Sequence, residues 1–302
     1  MIKHFILLFT FIVYCSTFTT SFAEEQAYYP PPPAWVFELS KQDICHPKEL
    51  QKELPNIIQK IQHRTYYKMW EGSLTKRGIN PITELAEKLK DQESCHGRLL
   101  SIQKQFYKHK NLNPNALDGQ IETQDILAFD VIRTVYQAAF EATVLHELTS
   151  PFPDFDYRGL KDLLRTEYNE DVNALLTYAK LVHTLEFSLQ SDLFISEGSQ
   201  QIKQALESFQ SPQATLYLTV LDSSGTLITL LLFASEPNYY LFDPRFPGSL
   251  VPGREEEGRF ASLEDLLNSS LTYLQEVYYS SSEIATPLFI QVAIYEAKIQ
   301  KQ

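Results

Sequence analysis

Thr215-Leu-Tyr-Leu-Thr-Val-Leu221, Asp222-Ser-Ser-Gly225, Thr226-Leu-Ile-Thr-Leu-Leu-Leu-Phe233, Glu236-Pro-Asn238 and Tyr239-Tyr-Leu-Phe242 form one continuous pattern. Apolar and β-branched runs of strand length alternate with short polar turns. Strands joined by turns this short run antiparallel, because a parallel pair needs a long crossover. Residues 215–242 therefore read as a three-stranded meander. Downstream, Ser262 is placed to cap a helix that runs to about Glu276, with Leu263, Leu266, Leu267, Leu271 and Leu274 inward. Residues 284–295 read as a closing strand.

Upstream of the meander, from about 46 to 210, the apolar period is helical. Asn80-Pro81 supplies a cap and a first-turn proline, and Ile82, Leu85, Ala86 and Leu89 mark one face. Residues 121–149 form a long segment whose apolar positions include Ile126, Phe129, Val131, Ile132, Val135 and Phe140, stopped by Pro151-Phe152-Pro153. Further helices are expected over 170–189 and 199–209. The chain shows no internal repeat. Helices first and a sheet with one inserted helix second make an α+β domain, its helical N-terminal part packed on a C-terminal antiparallel sheet. The expected division is helical 46–210 and sheet 211–298, within one domain covering 46–302.

The first 23 residues read as an export signal. Lys3 and His4 precede a mostly apolar run over 5–18, and Ser21-Phe22-Ala23 puts small residues where a signal peptidase cuts, before Glu24. The apolar run falls short of the ~20 residues of a membrane span. The expectation is an exported protein, periplasmic, secreted or surface-associated, with no stable span after cleavage. Residues 24–45 carry Tyr28-Tyr29 and four prolines, Pro30 to Pro33, which suit a stiff extended linker.

The formal net charge is −12, with no dense Lys/Arg run, which disfavours nucleic acid and anionic membrane as partners. A protein or peptide partner is expected instead. Nothing calls for a cofactor. Cys45-His46 and Cys95-His96 match no common zinc spacing, so no metal is expected. Once the leader carrying Cys15 is removed, Cys45 and Cys95 are the cysteines left. In an oxidising compartment they can form one disulfide, which competes with any catalytic use of Cys95.

Cys95 sits where a nucleophile belongs. Ser94 is a good cap, Leu99, Ile102 and Phe106 follow at helical spacing, and Gly97 allows close approach. A thiol at a helix start meets unpaired amides and the positive dipole end, which favour the thiolate. Asp243 ends the third strand of the meander and precedes Pro244, the pattern of a turn and also of a carboxylate that orients a histidine.

Ser94-Cys95-His96-Gly97 and Phe242-Asp243-Pro244 together resemble the YopT-type branch of the papain-like cysteine peptidases, over residues 95–298. The resemblance implies a papain-like fold, Cys95 as nucleophile, Asp243 as the orienting acid, and a histidine opening the strand after Gly225. That histidine is missing. Thr226 stands in its place, and no histidine occurs from residue 184 to the end. A threonine hydroxyl cannot take up a proton near neutral pH, and losing such a triad member costs on the order of 10⁴–10⁶ in turnover. His96 points away from its neighbour by about 100° on a helix, and His63, His109, His146 and His183 fall on expected helices, His183 among Leu181, Val182 and Leu185.

Three readings follow. In the first, the chain is an exported pseudo-peptidase that binds a peptide or protein without efficient turnover, with Tyr239, Tyr240 and Phe246 as cleft walls. In the second, it is an active cysteine peptidase or acyltransferase using Cys95 with a non-standard base. In the third, it is a secreted binding domain held by a Cys45–Cys95 disulfide and unrelated to peptidases.

Overall fold

The computed structural model describes residues 47–90, 96–109, 123–149, 154–188, 194–208, 213–222, 225–235, 238–242, 259–260, 262–279 and 289–298. Among the described residues, six helices come first: α1 (Pro47–Ile61), α2 (Thr65–Lys76), α3 (Pro81–Lys90), α4 (His96–His109), α5 (Thr123–Thr149) and α6 (Tyr157–Leu175). Then follow β1 (Ala179–Ser188), α7 (Phe194–Ser208), β2 (Gln213–Asp222), β3 (Gly225–Ser235), β4 (Asn238–Phe242), β5 (Arg259–Phe260), α8 (Leu263–Tyr279) and β6 (Phe289–Ala297). The protein is α+β, with the helical part preceding and covering an antiparallel sheet.

Local sequence sets most of these boundaries. Asn80 Oδ1 accepts from the amides of Ile82 (2.9 Å) and Thr83 (3.2 Å), so the expected cap of α3 forms. Leu85 on that helix is fully buried, whereas Ile82, expected on the same face, is 45% exposed. Ser262 Oγ accepts from the amide of Asp265 at 3.1 Å and starts α8 as its sequence predicts. Helix α2 ends at Gly78, whose φ of 71° suits a residue without Cβ. Gly78 N donates to Thr75 O and Ile79 N to Leu74 O, both at 3.0 Å, which closes a Schellman turn.

The sheet order is β1-β6-β2-β3-β4-β5, and every neighbouring pair is antiparallel. The β2-β3-β4 meander forms as its sequence predicts. The stretch expected to be helical over 170–189 does not. Helix α6 starts earlier, at Tyr157, where Asp156 accepts from Gly159 N at 2.8 Å, and it ends at Leu175. Residues 179–188 are strand β1, so the helical part expected over 46–210 is interrupted by an edge strand of the sheet. Leu181, Val182 and Leu185 fit a helical period, but pairing with β6 wins: residues 179–188 run antiparallel to Phe289–Ala297, with the register shifting between Leu181 and His183. Asn173 of α6 secures this edge, giving Nδ2–H to Leu181 O (3.1 Å) and accepting from Leu181 N (2.7 Å) beside a register irregularity.

The two faces of the sheet differ in chemistry. Leu216, Leu218, Val220, Leu230, Leu232, Ile290, Val292 and Ile294 form an aliphatic face under α7 and α8, with Leu266, Leu267, Leu271 and Leu274 packed on it. The opposite face carries Tyr217, Leu231, Phe233, Ala293 and Tyr295 in one cluster with α1 to α6. Buried Thr215, Thr219, Thr229 and Gln291 alternate with the aliphatic residues of their strands. The central strands are thus covered on both faces, which is why 226–233 reads as a nearly unbroken apolar run.

Candidate functional site

Cys45, Cys95 and Asp243 lie outside the described residues, but their flanks are described. His96 begins α4, immediately after Cys95, and Phe242 ends β4, immediately before Asp243. Thr226 is the second residue of β3, with its backbone opposite Leu221 of β2.

These flanks stand apart. Tyr178, just before β1, donates its hydroxyl to Leu100 O in the first half of α4, at 3.1 Å. Gln103 donates Nε2–H to Thr215 Oγ1 at 2.6 Å, and its Oε1 accepts from the hydroxyls of Tyr178 and Tyr217 at 3.1 Å each. Tyr107 donates to Tyr295 O at 3.0 Å and meets Thr215 Oγ1 at 2.9 Å. Phe106 packs on Phe233 with ring centroids 4.6 Å apart. Helix α4 therefore crosses the sheet where β2 begins and β3 ends. Thr226 is at the other end of β3, seven residues from Phe233, or ~23 Å at ~3.3 Å per residue. Phe242 pairs with Leu231, five residues from Thr226, or ~16 Å along the strand.

Among the described residues, the histidines His63, His146 and His183 form no replacement cluster. His183 is on the edge strand β1 and exposed, not inside a helix. His63 is exposed in the turn between α1 and α2 rather than on a helix. His146 is exposed near the end of α5, its Nδ1 2.7 Å from the Tyr157 hydroxyl. Among the described residues, no group of three or more His, Cys, Asp or Glu is arranged to hold a metal ion. Tyr240, expected to wall a cleft, is 9% exposed and packs edge-on against Phe233 at 6.4 Å; it is core.

A polar constellation absent from the sequence reading lies under α5. Glu186 of β1 pairs with Gln291 of β6, Gln291 with Thr219 of β2, and Thr219 with Thr229 of β3. One cross-strand row is therefore polar over four strands. Arg133 of α5 donates Nη2–H to the hydroxyls of both Thr219 and Thr229. Gln137, one turn on, donates Nε2–H to Gln291 Oε1 at 3.3 Å. Arg165 of α6 grips Glu186 through Nε–H (3.2 Å) and Nη2–H (2.5 Å), with its guanidinium 5.3 Å from the Phe140 ring centroid. Burial lowers the proton affinity of Arg133, with the surrounding tyrosines and Asp130 opposing that shift. The signal in the sequence is faint: Arg133 and Gln137 at i, i+4 in a mostly apolar helix, and Thr219 and Thr229 in otherwise apolar strands.

On the aliphatic side, α7 and α8 border a groove of about 630 Å³ lined by Ile195, Ser199, Lys203, Glu264, Leu267 and Asn268. Ser199 donates to Asn268 Oδ1 at 2.6 Å, and Lys203 faces Glu264 at 3.9 Å across the rim. Hydroxyl, amide and ion-pair groups of this kind can hold a polar ligand. They supply no nucleophile–base pair.

No family model matches the chain, and no curated protein matches it. Among solved structures, the crystal structure of the Pseudomonas avirulence protein AvrPphB aligns with 67% of this chain and 92% of its own, at 13% identity and a TM-score of 0.30. At that score the likeness carries no weight, and the architecture stands on the chain's own topology.

Proposed function

We propose that this chain is an exported protein of papain-like ancestry that acts by binding a peptide or protein partner and not by turnover. The papain-like ancestry rests on the order Cys95, Gly225, Phe242-Asp243-Pro244. The loss of turnover rests chiefly on one observation. Helix α4, which follows Cys95, is anchored through Phe106, Tyr107 and Gln103 at the end of the sheet away from Thr226. A thiolate stabilised by a helix start alone has no acid to protonate a leaving amine. The missing histidine and the separated flanks therefore act in the same direction.

The test is hydrolysis and binding of a mixed peptide library by the mature protein and its Cys95→Ala variant. The expected result is peptide binding of equal strength in both, with no cleavage above background in either. Cleavage by the parent that disappears in Cys95→Ala overturns the proposal and favours the active thiol enzyme.

A further inference from the structure

Three contacts fix how α7 lies on α8. Gly198 is buried, and a Cβ there would stand 3.3 Å from Leu271 Cδ1, so the helices close on each other at that point. Ser199 donates to Asn268 Oδ1 at 2.6 Å, and Lys203 Nζ faces Glu264 Oε2 at 3.9 Å. Residue numbers rise along α7 as they fall along α8, so the two helices are antiparallel. The groove of about 630 Å³ runs beside this seam, within the ~300–1,000 Å³ of ligand sites. It is on the aliphatic side of the sheet, whereas α4, which follows Cys95, belongs to the cluster on the opposite face.

The fold leaves polar atoms of this groove unspent. Asn268 Nδ2 carries two N–H groups, and the Gln200 amide carries two more and a carbonyl; among the described residues, neither meets a partner. A side-chain amide has the donor and acceptor of a peptide bond, so it pairs with the main chain of an extended segment whatever that segment's side chains. Charge selects among such segments. Helices α7 and α8 expose five carboxylates, of Glu197, Glu207, Glu264, Asp265 and Glu276, against the one ammonium of Lys203. Lys203 and Glu264 are 49% and 67% exposed and stand at the limit of ion-pair distance, so their attraction is weak and Glu264 can exchange partners. An arginine can meet that carboxylate through two parallel N–H groups, which an ammonium cannot. The same surface repels nucleic acid and anionic lipid.

We infer that the partner of this protein docks in the α7–α8 groove as an extended peptide segment bearing arginine or lysine. Gln200 and Asn268 hold its main chain, and Glu264 holds its cation. The inference rests on the partner-binding reading above, and it places the contact on the reverse of the sheet, away from Cys95.

The test is fluorescence anisotropy of a fluorescein-labelled hexapeptide of alternating alanine and arginine on the mature protein, beside the same peptide with glutamate for arginine. The arginine peptide is expected to bind about tenfold tighter or more, with an affinity that falls as salt screens the carboxylates. Glu264→Gln and Gln200→Ala alter exposed side chains, so both should keep the parent's Tm. Each should weaken binding of the arginine peptide about fivefold, and Glu264→Gln should also narrow the preference for arginine over glutamate. A benzophenone on the arginine peptide should cross-link within Phe194–Ser208 or Leu263–Tyr279. Equal binding of the two peptides, parent-like affinity in both variants, or cross-links confined to α1–α6 would each overturn the inference and leave the partner-binding reading standing. Absence of binding by every peptide of the mixed library would overturn both.

Discussion

Glu167 does for α2 what a local cap does elsewhere. Arg64 precedes that helix and makes no side-chain cap bond, so the first amides need an acceptor from outside. Glu167 Oε2 of α6 takes the Thr65 amide at 2.7 Å and the Tyr66 amide at 3.4 Å, while Oε1 takes the Thr65 hydroxyl at 2.9 Å. Arg64 in turn pairs with Asp171 (2.5 Å) and Glu170 (2.9 Å). Glu167→Ala removes all three acceptor contacts and should cost about 1–2 kcal/mol of stability, read as a lower urea midpoint at unchanged slope. Glu167→Gln keeps an acceptor and should cost less. None of this was legible in the sequence, because the cap comes from a residue about a hundred positions away. The local caps Asn80 and Ser262 were legible, since their acceptors and donors lie within one turn.

At the scale of elements, the meander and α8 could be read from residue order alone, and β1 could not. A run such as 179–188 fits a helical period nearly as well as a strand one. What decides is a partner, β6, more than a hundred residues downstream. Leu271 of α8 is fully buried against the aliphatic face, so Leu271→Ala should cost about 2–5 kcal/mol, measured by chemical denaturation. Gly78→Ala forces a side chain into positive φ and should cost about 1–2 kcal/mol by the same measurement. The placement of α4 gives a functional prediction. Thr226→His restores the missing residue type at a position ~23 Å along β3 from Phe233, where α4 packs. Peptidase activity should remain at background in that variant, assayed on the peptide library. A gain of a hundredfold or more would show that Cys95 and position 226 do meet.

Over the described residues, a helical layer covers a sheet face rich in tyrosine, and α7 and α8 lie on the aliphatic reverse. The α+β class was legible because it depends on period and turn length. The hydrogen-bonded face was not, because Thr, Tyr and Gln in a strand look the same whether they meet water or Arg133. Burial raises the phenols of Tyr107, Tyr136, Tyr168, Tyr178, Tyr217 and Tyr295 above their ordinary value, and it pushes Tyr67 up to about 12. A raised folded-state value means that the folded chain holds protons that the unfolded chain gives up above about pH 10. The associated stability is complete below that pH and is lost as pH rises through the folded values. Absorbance at the phenolate band should therefore show these tyrosines titrating only together with unfolding, while exposed ones titrate near pH 10.

The central claim is that Cys95 has no working base. Its most direct test is the alkylation rate of Cys95 by iodoacetamide from pH 5 to 9, mapped by mass before and after reduction. The account predicts a pH profile set by the helix start alone and unchanged when any histidine of the mature chain is replaced by alanine, or no labelling until reduction. A fast rate below pH 7 that is lost when one histidine is replaced would mean a thiolate paired with that imidazolium, and it would contradict the account.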